Sequence, residues 1–265
     1  MNFTLFRYSC RKTVPLWLIF TVLMSLYAFA VVRMYDPVAG AALISLTESL
    51  PQAMTILGMA NDTNTFTAFI VNYLYGMLML ALPMVYTVIV SVQLMAHHVS
   101  NGTMSYLLAS PNSRKRIAVT QRNVLVVTLL LMLAVCCVVT IGLCEYFYPG
   151  QLDILHFLIL TACVLALQLA FAGMCYFFSC RSNGTVGALV INAGACLLFY
   201  TIRLLANLGG SLSYLWFITP YTLINPAGIL QSDLRSCLLP LILLVIAVIL
   251  FALAGRSFRR KTMPF

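Results

Sequence analysis

The chain has 265 residues, of which 62% are apolar and only 8% are charged, and its formal net charge is +9 at pH 7. So few polar side chains cannot cover so much apolar surface, which excludes a soluble globular protein. The cations are divided among segments that flank long apolar runs and are not interleaved with base-stacking aromatic residues, so nucleic acid is not expected as a partner. The composition predicts an integral membrane protein whose cations face anionic lipid headgroups.

Six apolar stretches are long enough to cross a hydrocarbon core of about 30 Å, which requires about 20 residues in a helix. Each is continuously apolar rather than alternating, so helices are predicted and a barrel is not. The predicted spans cover residues 14–32, 66–95, 117–143, 154–180, 185–206 and 237–254. Because no internal repeat or soluble segment is found, residues 1–265 are interpreted as one transmembrane domain.

The charged residues fall in alternate gaps between these spans. All six carboxylates occupy one set of gaps, and every lysine and arginine except Arg33, Arg203 and Arg235 occupies the other set. Loops rich in Lys and Arg stay in the cytoplasm, so both termini are predicted to be cytoplasmic. The residues before the first span, with Phe3, Leu5 and Phe6 followed by Arg7, Arg11 and Lys12, predict a short helix that lies on the cytoplasmic face with its apolar side toward the membrane.

Two long segments lie on the predicted outer side. Residues 34–65 carry apolar residues at helical spacing, which favours an amphipathic helix. Residues 207–236 are apolar and aromatic but are interrupted by Pro220 and Pro226, which would kink a spanning helix. We therefore expect a re-entrant or interfacial hairpin before the last span, held by Tyr214, Trp216 and Tyr221 at the level of the lipid headgroups.

The cytoplasmic connection between the second and third spans carries the most specific pattern. Met104, Leu107 and Leu108 share one face of a short predicted helix, which ends at Pro111. Ser113, or the asparagine before it, is predicted to cap the third span. An apolar face on a cytoplasmic helix can dock into a groove of a partner protein, or it can simply lie on the lipid surface.

This connection resembles a signature of the membrane subunits of type-2 ATP-binding-cassette (ABC) transporters, in which Gly-Thr, Leu-Leu, Pro and Ser-Arg follow one another. The matching residues are Gly102, Thr103, Leu107, Leu108, Pro111, Ser113 and Arg114. The resemblance extends to the N-terminal helix, the six spans, a Leu-Pro-x-Ala-like stretch at residues 50–53 and the broken hairpin. The chain departs from the family before the Gly-Thr pair, where His97, His98 and Ser100 stand in place of the family's common acidic residues.

The resemblance implies a fold and a mechanism. The fold is an all-α membrane protein with six transmembrane helices, cytoplasmic termini, an N-terminal elbow helix and a coupling helix that rests on an ATPase subunit. The coupling residues are the matching set together with Met104, although the simpler interpretation of Arg114 is as a cytoplasmic anchor. The sequence has no G-x-x-x-x-G-K-[ST] run, so ATP and Mg²⁺ are expected on a separate ATPase subunit, and no cofactor is expected on this chain.

Two permease copies, or this chain and a paralogue, would then enclose a path in a bacterial plasma membrane and export a peptide or an amphiphile. Polar residues inside the spans are candidates for that path or for the dimer interface, and they are Gln168, Asn192 and Arg203. Gln168 and Asn192 can instead bond to neighbouring helices. Arg203 can extend its charge to the outer surface, or it can line a cleft for an anionic or peptide group.

Two other functions stay open. The chain can be a non-transporting scaffold or resistance subunit that also binds an ATPase. An intramembrane enzyme is the least expected function, because it needs catalytic groups at one depth in the membrane. The histidines are predicted on both sides of the membrane, and each carboxylate lies in an outside loop or at the edge of one. Adjacent His97 and His98 point in different directions on a helix, and no C-x-x-C pair occurs, so no metal site is predicted.

Overall fold

A computed structural model describes residues 3–35, 55–56, 65–76, 78–100, 113–208, 210–230 and 233–260. Within these ranges every regular element is helical. Six helices are long and apolar enough to cross a membrane, and we number them in chain order as the first to sixth spans: Phe3–Arg33, Phe66–Ser100, Arg114–Phe147, Ile154–Arg181, Thr185–Ala206 and Leu234–Arg260. Even the shortest, with 22 residues, exceeds the thickness of a hydrocarbon core at a rise of about 1.5 Å per residue. The predicted helical class and the six segments of membrane-crossing length are confirmed.

Two of the spans are not uniform α-helices. The second consists of α-helices at Phe66–Gly76, Leu78–Ser91 and His97–Ser100, with a π-helical turn at Val92–Ala96. The sixth consists of a short helix at Leu234–Leu238 followed by Pro240–Arg260. Pro240 begins the longer helix, where a missing backbone N–H costs nothing, whereas Pro83 lies inside the second span and removes an intrahelical bond.

The helices extend past the apolar stretches that predict them. The first helix runs without a break from Phe3 to Arg33, through Pro15, so the N-terminal segment is continuous with the first span rather than a separate helix. Its orientation on a membrane surface stays a prediction. The third helix begins at Arg114, and the Ser113 hydroxyl accepts a bond from the Arg116 N–H at 3.3 Å, as predicted for its cap.

The fourth span is capped by an acidic residue outside the apolar stretch. The Asp153 carboxylate accepts a bond from the backbone N–H of His156 at 3.2 Å and contacts the His156 ring at 2.6 Å. These two hydrogen bonds, the backbone one first, hold the pKa of Asp153 below its ordinary value. Asp153 is therefore ionised at neutral pH, and its negative charge interacts favourably with the positive end of the helix dipole.

The fourth span is the centre of the bundle and packs against the second, third, fifth and sixth spans. Its contact with the sixth span is close because Gly173 presents no side chain: a Cβ there would lie 3.1 Å from the Leu250 Cβ and 3.2 Å from the Ala247 carbonyl oxygen. The first and third spans run parallel, since the Trp17 indole donates to the Thr128 carbonyl at one level and Phe29 meets Phe147 further along.

The segment before the sixth span is broken, as its prolines predict. It forms 3-10 turns at Gly210–Ile218 and Pro220–Leu223 and an α-helical turn at Pro226–Leu230. Tyr221 is buried, with its ring centroid 5.5 Å from that of Phe171 near the middle of the fourth span. The segment thus turns back into the bundle, which favours the re-entrant form of the predicted hairpin.

The bundle separates its charges between two ends. The start of the third span and the ends of the fourth and sixth spans meet around one cavity, and we call this the basic end. Its cations on these three spans are Arg114, Lys115, Arg116, Arg122, Arg181, Arg256, Arg259 and Arg260. At the opposite end Thr67, which begins the second span, accepts a bond from the N–H of Asp153. The described carboxylates, Glu145, Asp153 and Asp233, all belong to that opposite end.

Large apolar side chains cover much of the outer surface of the bundle. In the fifth span Val186 is 75% exposed, and in the sixth span Val248 is 68% exposed. In water, apolar surfaces of this extent mark aggregation or an interface, but lipid chains solvate them without cost. The exposed faces are those expected of a multi-pass membrane protein.

Candidate functional site

The predicted ATPase-coupling site lies mostly outside the described residues. Gly102, Thr103, Met104, Leu107, Leu108 and Pro111 fall in the undescribed range 101–112, so their arrangement stays a prediction. Ser113 and Arg114 are described and begin the third span at the basic end. The second span ends at Ser100, directly before this undescribed range.

A cavity of about 230 Å³ opens at the basic end between the third, fourth and sixth spans. Lys115, Arg122, Arg256 and Arg259 line it, together with the apolar ring of Phe251. Cations gathered around an apolar floor suit anionic lipid headgroups or an acidic protein surface. The sequence predicts that these residues share one side of the membrane, but their convergence from separate spans requires the folded chain.

Asn192 joins three spans through a buried polar cluster. Its amide nitrogen donates to the Ser179 hydroxyl at 2.8 Å and to the Ser91 hydroxyl at 3.2 Å. The Ser179 hydroxyl in turn lies 3.4 Å from that of Ser91. All three side chains are fully buried. Of the two roles that the sequence allows for Asn192, the structure shows bonds to neighbouring helices.

The polar cluster lies next to the irregular part of the second span. Ser91 immediately precedes the π-helical turn at Val92–Ala96. A π-turn inserts a residue into the regular ladder and is common at functional sites, where it allows local adjustment. The Asn192 side-chain oxygen accepts no bond from any described residue, so the cluster retains one unused acceptor.

Gln168 bonds across the centre of the bundle to the backbone of the second span. Its amide nitrogen donates to the Leu80 carbonyl oxygen at 2.9 Å, and its side chain is fully buried. Leu80 lies in the turn that precedes Pro83, where a proline disturbs the bonds of the preceding carbonyls. Pro83 releases the carbonyl of Met79, and Gln168 bonds to the next carbonyl in the same turn, so it stabilises the helix beside the proline.

Arg203 does not extend its charge to the surface. Its side chain is 9% exposed, and its guanidinium carbon lies 5.1 Å from the ring centroid of Tyr221. Its Nη1 atom has no hydrogen-bond partner in the described part of the chain. Arg203 lines a cavity of about 50 Å³ with Trp216, Tyr221 and apolar residues of the second and fourth spans. Of the three polar residues predicted inside the spans, Arg203 alone is charged, and no described residue forms an ion pair with it.

No protein-family model matches this chain, and no curated protein is significantly similar to it.

The sequence-predicted polar residues form two separate groups rather than one path. Asn192 and Arg203 are eleven residues apart on the fifth span, which corresponds to about 16 Å along a helix. Gln168 lies close to Arg203. Its bonding partner Leu80 and its sequence neighbour Leu167 both line the Arg203 cavity. The structure thus distinguishes a cluster near the basic end from a charged cavity near the opposite end.

Sequence reasoning missed several members of these groups. Ser91 and Ser179 gave no signal, because serines in membrane helices commonly bond to their own backbone. The sequence predicts Tyr221 only as a headgroup-level residue of the hairpin, whereas it is buried beside Phe171 in the bundle. Gln121, fully buried and without a partner for either polar atom among the described residues, lies near the start of the third span. The criterion that selected Gln168, an amide inside a span, would also have found it.

Proposed function

We propose that this chain is the permease subunit of an ABC exporter, which forms a substrate path as a dimer and is driven by separate ATPase subunits. The observation that carries the proposal is the Gly-Thr, Leu-Leu, Pro, Ser-Arg pattern of residues 102–114. Its position supports the proposal, because residues 101–112 connect two helices of membrane-crossing length, and the second of these begins at the basic end.

In this proposal the mechanism is mechanical. ATP and Mg²⁺ bind to the partner ATPase, and its closure pushes the apolar face of the coupling helix. The uninterrupted helix Arg114–Phe147, with 34 residues, is long enough to carry that displacement across the membrane. The second span contains Pro83 and a π-helical turn, which are features that allow a helix to bend. The chain itself carries no catalytic role.

The proposed setting is a bacterial plasma membrane, with the basic end in the cytoplasm. Placing the cations of the basic end there agrees with the tendency of Lys-rich and Arg-rich loops to remain inside. The broad apolar faces of the fifth and sixth spans leave area for lipid and for a second permease copy. A peptide or amphiphile suits a bundle whose charged cavity is lined mainly by apolar and aromatic residues.

The coupling face is tested by paired substitutions on opposite sides of the predicted helix. Leu107→Asp with Leu108→Asp places two charges on the docking face, so we expect ATPase association to be lost while membrane insertion is retained. Tyr106→Asp with Ala109→Asp adds the same charge to the opposite face, given about 100° between successive residues, and should leave association intact. Co-purification of the ATPase with each tagged variant measures the result, and unchanged association of the first pair would refute the docking face.

A further inference from the structure

Among the residues that the structure describes, the buried Arg203 guanidinium has no anionic partner. Its side chain is more than nine-tenths buried, and Nη1 has no hydrogen-bond partner among the described residues. The Arg203 side chain forms no hydrogen bond or ion pair with another described residue, and its guanidinium lies over the ring face of Tyr221. A buried arginine in a membrane bundle is costly unless an anion or a set of acceptors accompanies it. The described residues supply no such anion, so the cavity beside Arg203 is a candidate site for one.

The cavity beside Arg203 is suited to a small oxyanion. Its volume of about 50 Å³ exceeds the roughly 10–15 Å³ that a single water molecule needs. It is therefore large enough for a carboxylate or phosphate group but not for a whole drug-sized ligand, which needs about 300 Å³ or more. The planar guanidinium has the geometry that pairs with such oxyanions through two parallel bonds.

The walls of the cavity indicate what is attached to the anion. Leu80, Leu160, Val164 and Leu167 line it together with Trp216. A free inorganic anion would lose its hydration against these apolar walls, and a single arginine would be its only charged contact. For an anion that is attached to an apolar chain, this cost in binding free energy is offset, because burial of the apolar chain out of water is favourable.

We propose that Arg203 and its cavity bind the carboxylate or phosphate head of an amphiphile. This inference rests on the proposed function only in identifying that amphiphile with the class of molecule transported. The Tyr221 ring face contacts the guanidinium, and Trp216, which lines the same cavity, lies against the bound head. The fifth span thereby carries a recognition site near the end opposite the coupling segment.

Trp216 provides a direct reporter of occupancy. The other tryptophan, Trp17, lies in the first span, so a Trp17→Phe background leaves Trp216 as the single indole. The purified chain in neutral detergent is titrated with α-bromododecanoate, whose bromine quenches a nearby indole, and with its uncharged methyl ester. We expect saturable quenching by the carboxylate and only weak, unsaturable quenching by the ester.

Variants test whether the quenching depends on Arg203. Arg203→Gln should weaken α-bromododecanoate binding about tenfold or more, because a charge-assisted pair is lost. Arg203→Lys keeps the charge without the planar fork and should give an intermediate affinity. Arg235→Gln removes the same charge from an exposed position at the same end and should bind like the parent. Equal binding by Arg203→Gln and the parent, or equal weakening in both glutamine variants, would overturn the proposal.

A competition measurement keeps the test valid if the Arg203 variants do not fold. In the Trp17→Phe background with Arg203 intact and α-bromododecanoate bound, unbrominated dodecanoate should restore Trp216 fluorescence, whereas methyl dodecanoate and inorganic phosphate at the same concentration should not. Displacement by inorganic phosphate would identify a small-anion site and overturn the amphiphile. Because the chain is measured without an ATPase, this result is separate from the outcome of the Leu107 and Leu108 substitutions.

Discussion

At the scale of single residues, partners decide what a polar side chain inside the bundle does. Asn192 and Gln168 are both fully buried, and each donates across a helix boundary. Arg203 is nearly as enclosed, but among the described residues its guanidinium contacts the Tyr221 ring face and its Nη1 atom has no hydrogen-bond partner. The sequence selects all three because polar groups are costly in lipid. It cannot separate them, because the bonding atoms come from spans that are distant along the chain.

The Asn192 cluster makes a prediction about stability. Asn192→Leu keeps the approximate size of the side chain but removes its bonds to Ser91 and Ser179, so we expect a destabilisation of about 1–2 kcal/mol, the range for hydrogen bonds between membrane helices. Thr140→Val is the matched control, because the Thr140 hydroxyl bonds to the Cys136 carbonyl of its own helix. Thermal unfolding in detergent measures both variants, and an equal loss in the two would show that the interhelical bonds contribute nothing specific.

At the scale of elements, the apolar runs predict the membrane-crossing helices but not their ends. The third helix begins at Arg114, ahead of the predicted span, because a capped helix need not stop where the hydrocarbon core stops. The first helix likewise includes the basic segment that was predicted to be separate. The prolines correctly predict the broken segment before the sixth span. Its insertion beside Phe171 depends on tertiary contacts that periodicity does not encode.

The packing of the fourth span on the sixth gives a prediction at this scale. Gly173→Leu forces a side chain against Leu250 and Ala247, where even a Cβ would lie 3.1 Å from its nearest neighbour. We expect a loss of about 1–3 kcal/mol, as for overpacked cores. Gly142→Leu is the control, because a Cβ at that position meets no atom within 4 Å.

The two leucine variants share the same gain in helix propensity, so their difference reports packing alone. Thermal unfolding of both proteins in one detergent is the measurement. If Gly173→Leu is as stable as Gly142→Leu, the close approach of the two spans is not present in the folded protein.

At the scale of the whole molecule, the separation of charge predicts an orientation. The described carboxylates lie at the end opposite the cations of the third, fourth and sixth spans. The sequence predicts this separation directly, because it depends only on the order of spans and gaps. The proposed orientation places the basic end in the cytoplasm, in accordance with the positive-inside tendency.

Fusion reporters test this orientation. A reporter that is active only in the cytoplasm should be active when fused after Phe265, and inactive when inserted after Gly150, between the third and fourth spans. Gly150 has a φ of +73°, lies in the turn between two helices and has open space around it, so an insertion there disturbs little packing. Activity at both sites, or activity at Gly150 alone, would contradict the six-span orientation.

The central claim is that this chain works with a separate ATPase. The most direct measurement is affinity purification of the tagged chain from its native membrane in mild detergent, followed by mass spectrometry of the proteins that remain bound. The account predicts a P-loop ATPase in roughly equal amount, whose ATP hydrolysis depends on the presence of this chain. Recovery of the intact chain without any P-loop ATPase would contradict the account and would return the scaffold and enzyme alternatives to consideration.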